Sequence, residues 1–341
     1  MSAIAWAESG RVPDALIRVA IRRLLRRRLI DEDDRDVEAR SRRAQALIEE
    51  LGNSPIAIET DAANEQHYEV PAAFYELALG ARLKYSSAFW PEGVTSLDAA
   101  EESMLRITCE FAELENGQRI LELGCGWGSL TLWMASQYPD SEITAVSNSA
   151  SQRVHIEARA LDLGLHNVKV ITCDVNELEL KEQFDRVVSV EMFEHVRNYR
   201  HLLGKINGWL RPEGKLFVHI FCHRNLVYPF ETEGDGNWMG KYFFTGGLMP
   251  AADTLLHFQD DVLIEDRRLF SGVHYARTAR AWLDNLDARR SEAARVMASQ
   301  HGDQAGIWLQ RWRMFFMACE ELFAFDGGNH WLVAHYRFRR R

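Results

Sequence analysis

Between residues 115 and 220 the chain alternates short β-branched apolar runs with longer segments whose apolar residues recur at helical spacing. The runs Arg119–Leu123, Glu142–Val146, Val168–Thr172, Arg186–Val190 and Lys215–Ile220 predict strands. Leu97–Leu114, Ser129–Gln137, residues 150–163 and residues 201–210 predict helices, and Pro212-Glu213-Gly214 turns the chain into the fifth strand. Such alternation predicts a parallel sheet with helices on both faces. Upstream, Leu16, Ile17, Ala20, Ile21, Leu24, Leu25 and Leu29 share one helical period behind Pro13 and Asp14. Helical patterns follow at Arg42–Leu51 and Phe74–Leu79, separated by a break at Gly52–Pro55. Regularity ends near Phe221; beyond it, helices are predicted near 277–299 and 304–323, and HWLVAHYRF at 330–338 reads as β-like.

Composition narrows this picture. At roughly 100–200 residues per domain, 341 residues make one large domain or two modest ones. No run approaches about 18 uninterrupted apolar residues, so no membrane-spanning helix is predicted. MSAIAWAESG lacks the basic start and apolar core of a signal peptide. Cys109, Cys125, Cys173, Cys222 and Cys319 are scattered without a CxxC pair, which argues for a reducing, cytoplasmic setting and against structural zinc. His223, His257 and His274 converge on no metal-ligand spacing, so no metal is expected. A net charge of −10 excludes a general nucleic-acid binder.

The charge is uneven. Residues 11–28 hold seven Arg against Asp14 alone, and DEDDRD at 31–36 swings acidic. The basic amphipathic helix either packs on the body with its arginines paired or solvated, or lies on an anionic membrane. Aromatic residues are uneven too: 10 Trp in all, and eight aromatics within residues 221–258 among glycines 234, 236, 240, 246 and 247. That stretch predicts flat walls for a planar or cationic ligand.

The strongest local signal is Glu122-Leu123-Gly124-Cys125-Gly126-Trp127-Gly128, after a strand and before a helix. Glycines there let the backbone turn tightly and approach a ligand at the helix start. Ser147 and Asn148 end the second strand, Asp174 ends the third, and LRPEGKLFV leads into the fifth. Together these features resemble the class I S-adenosylmethionine-dependent methyltransferases. The resemblance implies an α/β fold, a Rossmann-like seven-stranded mostly parallel sheet with N-terminal helices and an aromatic-rich α-helical substrate cap. It implies S-adenosylmethionine as cofactor, leaving as S-adenosylhomocysteine, with contacts from Tyr85, Ser86, Glu122, Gly124, Gly126, Ser147, Asn148, Gln152, Asp174, Val175 and Val190. The ribose position, usually acidic in that family, is Ser147/Asn148 here, whose hydroxyl and amide can still bond a ribose. The expected organisation is a helical segment at 1–65, a donor-binding core at 66–220, a substrate cap at 221–300, and a C-terminal helix with the last strands at 301–341.

After the fourth strand come Glu191-Met192-Phe193-Glu194-His195-Val196. Carboxylates ending a buried strand are costly unless paired or used. If a helical turn begins here, Glu191, Glu194 and His195 share one face and form a proton-handling site; the alternative is an ion pair that steadies the turn. HYEVPAAFYELALG, KYSSAFW, LELGCGWG and VEMFEHV resemble the cyclopropane-fatty-acyl-phospholipid synthase superfamily. WMGKYFFTGGLMPAADTLLHFQDD, SGVHYARTARAWL and HWLVAHYRF resemble its coclaurine N-methyltransferase branch, and the similarity spans residues 12–340. In the lipid enzymes a cysteine, a glutamate, a histidine and a tyrosine hold a bicarbonate base. Here Ser87 takes the cysteine's place while Glu194, His219 and Tyr275 match the rest, and Glu191 matches the N-methyltransferases.

The resemblance implies catalytic roles for Glu191, Glu194 and His195. An amine arrives protonated, and removing a proton from a group titrating 2–3 units above neutrality costs about 3–4 kcal/mol. Glu194 and His195 are expected to form the coupled base, with Glu191 attracting the substrate cation or orienting its partners. Trp238, Tyr242, Phe243 and Phe244 are expected pocket walls, with Ser87, His219 and Tyr275 beside them, and Gly246-Gly247 either hinges a cover or makes a plain turn. The expected reaction is N-methylation of a small aromatic or cyclic amine. The alternatives are methylene transfer to unsaturated lipid acyl chains, with membrane contact expected only in that case, and a non-catalytic donor-binding regulator. A homodimer is left open.

Overall fold

The computed structural model describes residues 2–32, 36–58 and 70–341. His67-Tyr68-Glu69 of the first family motif, Asp33-Asp34-Arg35 of the acidic run and the expected boundary at residues 65/66 lie outside the described residues. Helices α1 (Ala3–Glu8), α2 (Asp14–Glu32) and α3 (Val37–Leu51) come first, followed by α4 (Ala72–Ala78) and α5 (Leu97–Phe111). Asp36 and Ser96 start α3 and α5, each accepting a first-turn backbone N–H on its side chain. No helix of the described residues is long and apolar enough to cross a membrane.

The alternating region folds as β1 (Arg119–Leu123), α6 (Ser129–Gln137), β2 (Glu142–Ser147), α7 (Ala150–Asp162), β3 (Val168–Thr172), β4 (Phe184–Val190), α8 (Tyr199–Trp209) and β5 (Leu210–His223). Two-residue strands β6 (Tyr228–Pro229) and β7 (Leu248–Met249) pair with each other around α9 (Trp238–Tyr242). The chain continues as β8 (Val262–Phe270), α10 (Gly272–Ala288), α11 (Arg290–His301), α12 (Ala305–Ala324) and β9 (Trp331–Arg340). The main sheet has the order β3-β2-β1-β4-β5-β9-β8. Only β9 runs against the others, pairing antiparallel with both β5 and β8. The expected seven-stranded, mostly parallel sheet is what the chain forms. Strand order reverses between β1 and β4, so the crevice for a ligand opens at the carboxyl ends of these strands.

Three details differ from the sequence pattern. The helix expected at 277–299 is two helices, broken at Arg289, whose φ of −113° and ψ of 28° leave the helical region. Of the closing strands only β9 lies within 301–341; β8 comes from the stretch assigned to the cap. Its sequence, VLIEDRRLF, carries four consecutive charges that an exposed sheet edge tolerates but that hide its strand period. Around Pro212-Glu213-Gly214 the β4–β5 register jumps from Phe184↔Leu210 to Arg186↔Lys215, so the turn is a bulge inside one long strand.

Helix α2 packs on the body. Ile17 and Leu25 are buried in a cluster with Phe74, Tyr75, Trp282, Trp312 and Trp331. Arg18 pairs with Glu320 at 2.6 Å and Glu321 at 3.0 Å, and Arg22 with Glu321 at 2.9 Å, all on α12. Arg313 returns the contact by bonding Asp14 and Asp287 at 2.6 Å each. Much of the tryptophan surplus is therefore packing between the N-terminal and C-terminal helices.

Candidate active site

The glycine loop follows β1 with Gly124, Gly126 and Gly128 at φ of 77°, 51° and 82°. The N–H groups of Gly124 and Cys125 both donate to the Val146 carbonyl at 3.0 Å, which fastens the turn to β2. A Cβ on Gly124 would stand 2.7 Å from Met192 Cβ, while one on Gly126 would meet nothing within 4 Å. We expect Gly124→Ala to weaken S-adenosylhomocysteine binding about tenfold or more, from left-handed backbone strain and displacement of Met192. Calorimetric titration checks this; unchanged affinity would exclude the loop from the site.

The loop borders a cavity of about 180 Å³. All the positions expected to hold the cofactor line it: Tyr85 and Ser86 before α5, Glu122 on β1 with Gly124 and Gly126 after it, Ser147 at the end of β2 with Asn148 and Gln152 after it, Asp174 and Val175 after β3, and Val190 on β4. Ser147 Oγ donates to Gln152 Oε1 at 2.6 Å, and Asp174 Oδ1 accepts the Asn176 N–H at 2.7 Å. Burial pushes the Glu122 carboxyl up to about 8. Three buried polar atoms on the wall, Trp127 Nε1, Ser129 Oγ and Gln152 Nε2, have no hydrogen-bond partner among the described residues. Unmet donors and acceptors on the wall of a cavity suit a hydroxyl- and carboxylate-bearing ligand such as S-adenosylmethionine.

Glu191 follows β4 in the left-handed region, at φ 49°. The turn after it is a 3₁₀ turn over Phe193–His195 alone, so the shared helical face expected of Glu191, Glu194 and His195 does not form. Glu191 and His195 line the cavity, whereas Glu194 is fully buried behind them, its Oε1 accepting the Phe221 N–H at 2.6 Å. Burial and the Glu191 charge together raise the Glu194 carboxyl well above its ordinary value. Burial also raises Glu191, but the Lys84 ammonium and the donors Ser87 N–H and Tyr275 O–H oppose it. The donors around Glu191 therefore favour a negative charge there over one on Glu194. Burial lowers His195 to about 4, leaving its imidazole neutral, and its ring stacks on Phe244 with centroids 5.9 Å apart.

A second cavity, of about 360 Å³ and almost wholly apolar, lies under α2. Ile17, Ile21 and Leu25 of α2 face Trp238, Met314 and Ala318 across it. Phe221, Phe244, Tyr275 and Phe315 line both cavities, so the two meet. Four expected wall residues line neither. Phe243 is buried against Phe315 with ring centroids 4.2 Å apart, and Tyr242 sits under the Arg311 guanidinium at 4.1 Å. Ser87 and His219 are fully buried and hold Glu191 instead. Gly246 and Gly247 are clamped by Arg197, which donates to their carbonyls at 3.0 and 3.3 Å. The sequence pattern did not single out Lys84, whose buried ammonium is brought down to about 8, nor Phe221, Trp282 and Phe315. Lys84 and Trp282 carried a signal, as the first residue of KYSSAFW and the penultimate one of SGVHYARTARAWL.

Residues 57–330 match the family described as mycolic acid cyclopropane synthetase. The chain is 36% identical over 339 residues to an (S)-coclaurine N-methyltransferase of Thalictrum flavum subsp. glaucum, covering 98% of this chain and 94% of that one. It is 31% identical over 233 residues to a cyclopropane-fatty-acyl-phospholipid synthase of Escherichia coli strain K12, covering 67% of this chain and 58% of that one. A solved coclaurine N-methyltransferase bound to N-methylheliamine and SAH superposes with a TM-score of 0.96 at 35% identity, covering 99% of this chain and 100% of that one.

Proposed function

The chain belongs to the mycolic acid cyclopropane synthetase family and is an S-adenosylmethionine-dependent N-methyltransferase; we propose that it methylates a small aromatic or cyclic amine, with Glu191 as the group that takes the amine's proton. The observation that carries this reading is the meeting of the two cavities at Phe221, Phe244, Tyr275 and Phe315. A cavity with a carboxylate and a neutral imidazole on its wall opens there onto an apolar one sized for rings.

S-adenosylmethionine, when bound, supplies an activated methyl group on a cationic sulfur. Ser147, Asn148 and Gln152 would hold its ribose, the Gly124–Gly126 loop its amino-acid part, and Asp174 with Val175 its adenine. On the substrate side, Glu191 attracts the ammonium form and takes a proton from it. A carboxyl raised by burial is better matched to that task than one in water. His195 accepts a hydrogen bond from the amine and orients it; an imidazole held near 4 stays uncharged and does not repel the cation. Glu194, paired with His195 as the base in the sequence-based expectation, keeps its own proton and leaves the negative charge on Glu191. The cavity under α2 takes the rings and excludes water.

The lipid alternative needs His219 and Tyr275 free to hold a bicarbonate base, and both are engaged by Glu191 at 3.1 and 2.6 Å. Incubation with labelled donor, a panel of cyclic and acyclic amines, and vesicles of unsaturated phospholipid separates the readings, with products resolved by mass. One methyl should appear on ring-bearing amines and none on lipid. Lipid product without amine product would overturn the proposal, and donor binding without any transfer would indicate a regulator.

A further inference from the structure

The loop that precedes α5 is fastened at both ends. Glu101, fully buried on α5, accepts the N–H groups of Gly80 and Arg82 at 3.0 Å each, and Asp98 accepts that of Ala81 at 2.8 Å. Leu83 then takes the left-handed conformation, φ 49°, its N–H donating to the Gly80 carbonyl at 2.9 Å. That backbone is strained for a residue with a Cβ, and the carboxylate anchors hold it. Beyond the turn, the Ala88 N–H donates to Thr278 Oγ1 at 3.2 Å on α10. Lys84 and Ser86 lie between these anchors, are 3% and 6% exposed, and line the cavity beside the glycine loop.

The Lys84 ammonium donates to Ser86 Oγ and forms no ion pair with a carboxylate of the described residues. Burial brings it down to about 8, with the Glu191 and Glu101 charges opposing, so it is mostly charged at neutral pH. An ammonium has three donors and no acceptor, so Ser86 Oγ must accept and its own hydrogen turns away. Ser86 Oγ makes no other hydrogen bond among the described residues, and that hydrogen is offered to whatever the cavity holds. S-adenosylmethionine carries a sulfonium, an ammonium and one carboxylate. A fixed, buried cation on the wall repels the first two and suits only the third.

We propose that Lys84 is a positioning residue for the cofactor: through Ser86 it presents a charge-backed hydroxyl to the carboxylate of the donor's amino-acid part, and so sets which way round that part lies. Glu101 and Asp98 serve the same end by holding the loop that aims Lys84 inward. The inference rests on the cofactor, and neither on the identity of the amine nor on Glu191 as the base.

The test compares two ligands by calorimetric titration of the full chain. One is S-adenosylhomocysteine; the other is its decarboxylated analogue, which has hydrogen in place of the carboxylate and keeps the amine. The parent should bind the first about tenfold or more tighter than the second. Lys84→Met, which keeps the length of the side chain, should lose most of that preference by weakening S-adenosylhomocysteine alone. Ser86→Ala should do the same, and combining the two should add little, because they act as one unit. Lys84→Gln, whose amide can still donate to Ser86, should recover part of the preference. Should Lys84→Met fail to fold, Lys84→Gln and Ser86→Ala carry the test. Equal weakening of both ligands would reduce Lys84 to a structural role and overturn the proposal, as would a parent that shows no preference. A preference left intact in Lys84→Met would overturn it too, and a fall in amine turnover in that variant would then direct the ammonium at Glu191.

Discussion

Glu191→Gln should lower kcat for amine methylation by about 10²–10⁴-fold, equivalent to about 3–5 kcal/mol of transition-state stabilisation. The variant keeps the shape of the side chain but removes both the charge that attracts the ammonium and the site that takes its proton. Affinity for S-adenosylhomocysteine should hold, because that ligand lacks the sulfonium charge and Glu191 is not among its expected contacts. Glu194→Gln should behave oppositely and keep most activity, since burial and the Glu191 charge raise the Glu194 carboxyl and its Oε1 only accepts the Phe221 N–H. The pH dependence adds a second readout. With Glu191 gone, only the unprotonated fraction of free amine can react, so log turnover should climb with pH until the amine's own pKa. In the parent that dependence should be shallower, because the enzyme itself takes the proton. Equal losses in both glutamine variants would return the base to a coupled Glu191–Glu194 unit.

The contrast between these glutamates marks where the sequence stops being sufficient. Strand ends were legible because a parallel sheet is buried on both faces, so its strands read as unbroken apolar runs and each ligand position is the next residue. That logic brought positions as distant as Glu122 and Asp174 into one cavity. Orientation within the Glu191–His195 loop was not legible. The spacing of its polar residues fits an α-helical face, but the left-handed residue at Glu191 and a turn of only three residues aim Glu194 into the core. The hydrogen bond between His219 on β5 and His335 on β9 lies further out of reach. It depends on the antiparallel register of two strands 116 residues apart, which no local period encodes. Charged β8 was hidden for the same reason: its partner, not its pattern, makes it a strand.

Helix α2 meets both protein and cavity with a single apolar stripe. Its apolar stripe was readable as a packing face, and Ile17 and Leu25 do pack, but the same stripe also roofs the apolar cavity above Met314 and Ala318 of α12. Helical periodicity does not distinguish a surface that meets protein from one that meets a ligand. Ala318 is half-buried on the floor of that cavity, one turn beyond Met314, so a large ring placed there has no outlet except into the cavity. Ala318→Trp should therefore displace the substrate's ring system. Losing the burial of one aromatic ring, roughly 150 Å² at about 25 cal/mol/Å², corresponds to KM rising by about 10²-fold or more. Methylation of a small acyclic amine, which needs only the junction near Phe244 and Tyr275, should suffer much less. S-adenosylhomocysteine affinity should not change, because Ala318 does not line the cavity beside the glycine loop. Steady-state kinetics on one ring-bearing and one acyclic amine check this, with calorimetry on the product. An unchanged KM for the ring-bearing amine would place its rings elsewhere and leave the cavity under α2 without a role in substrate choice.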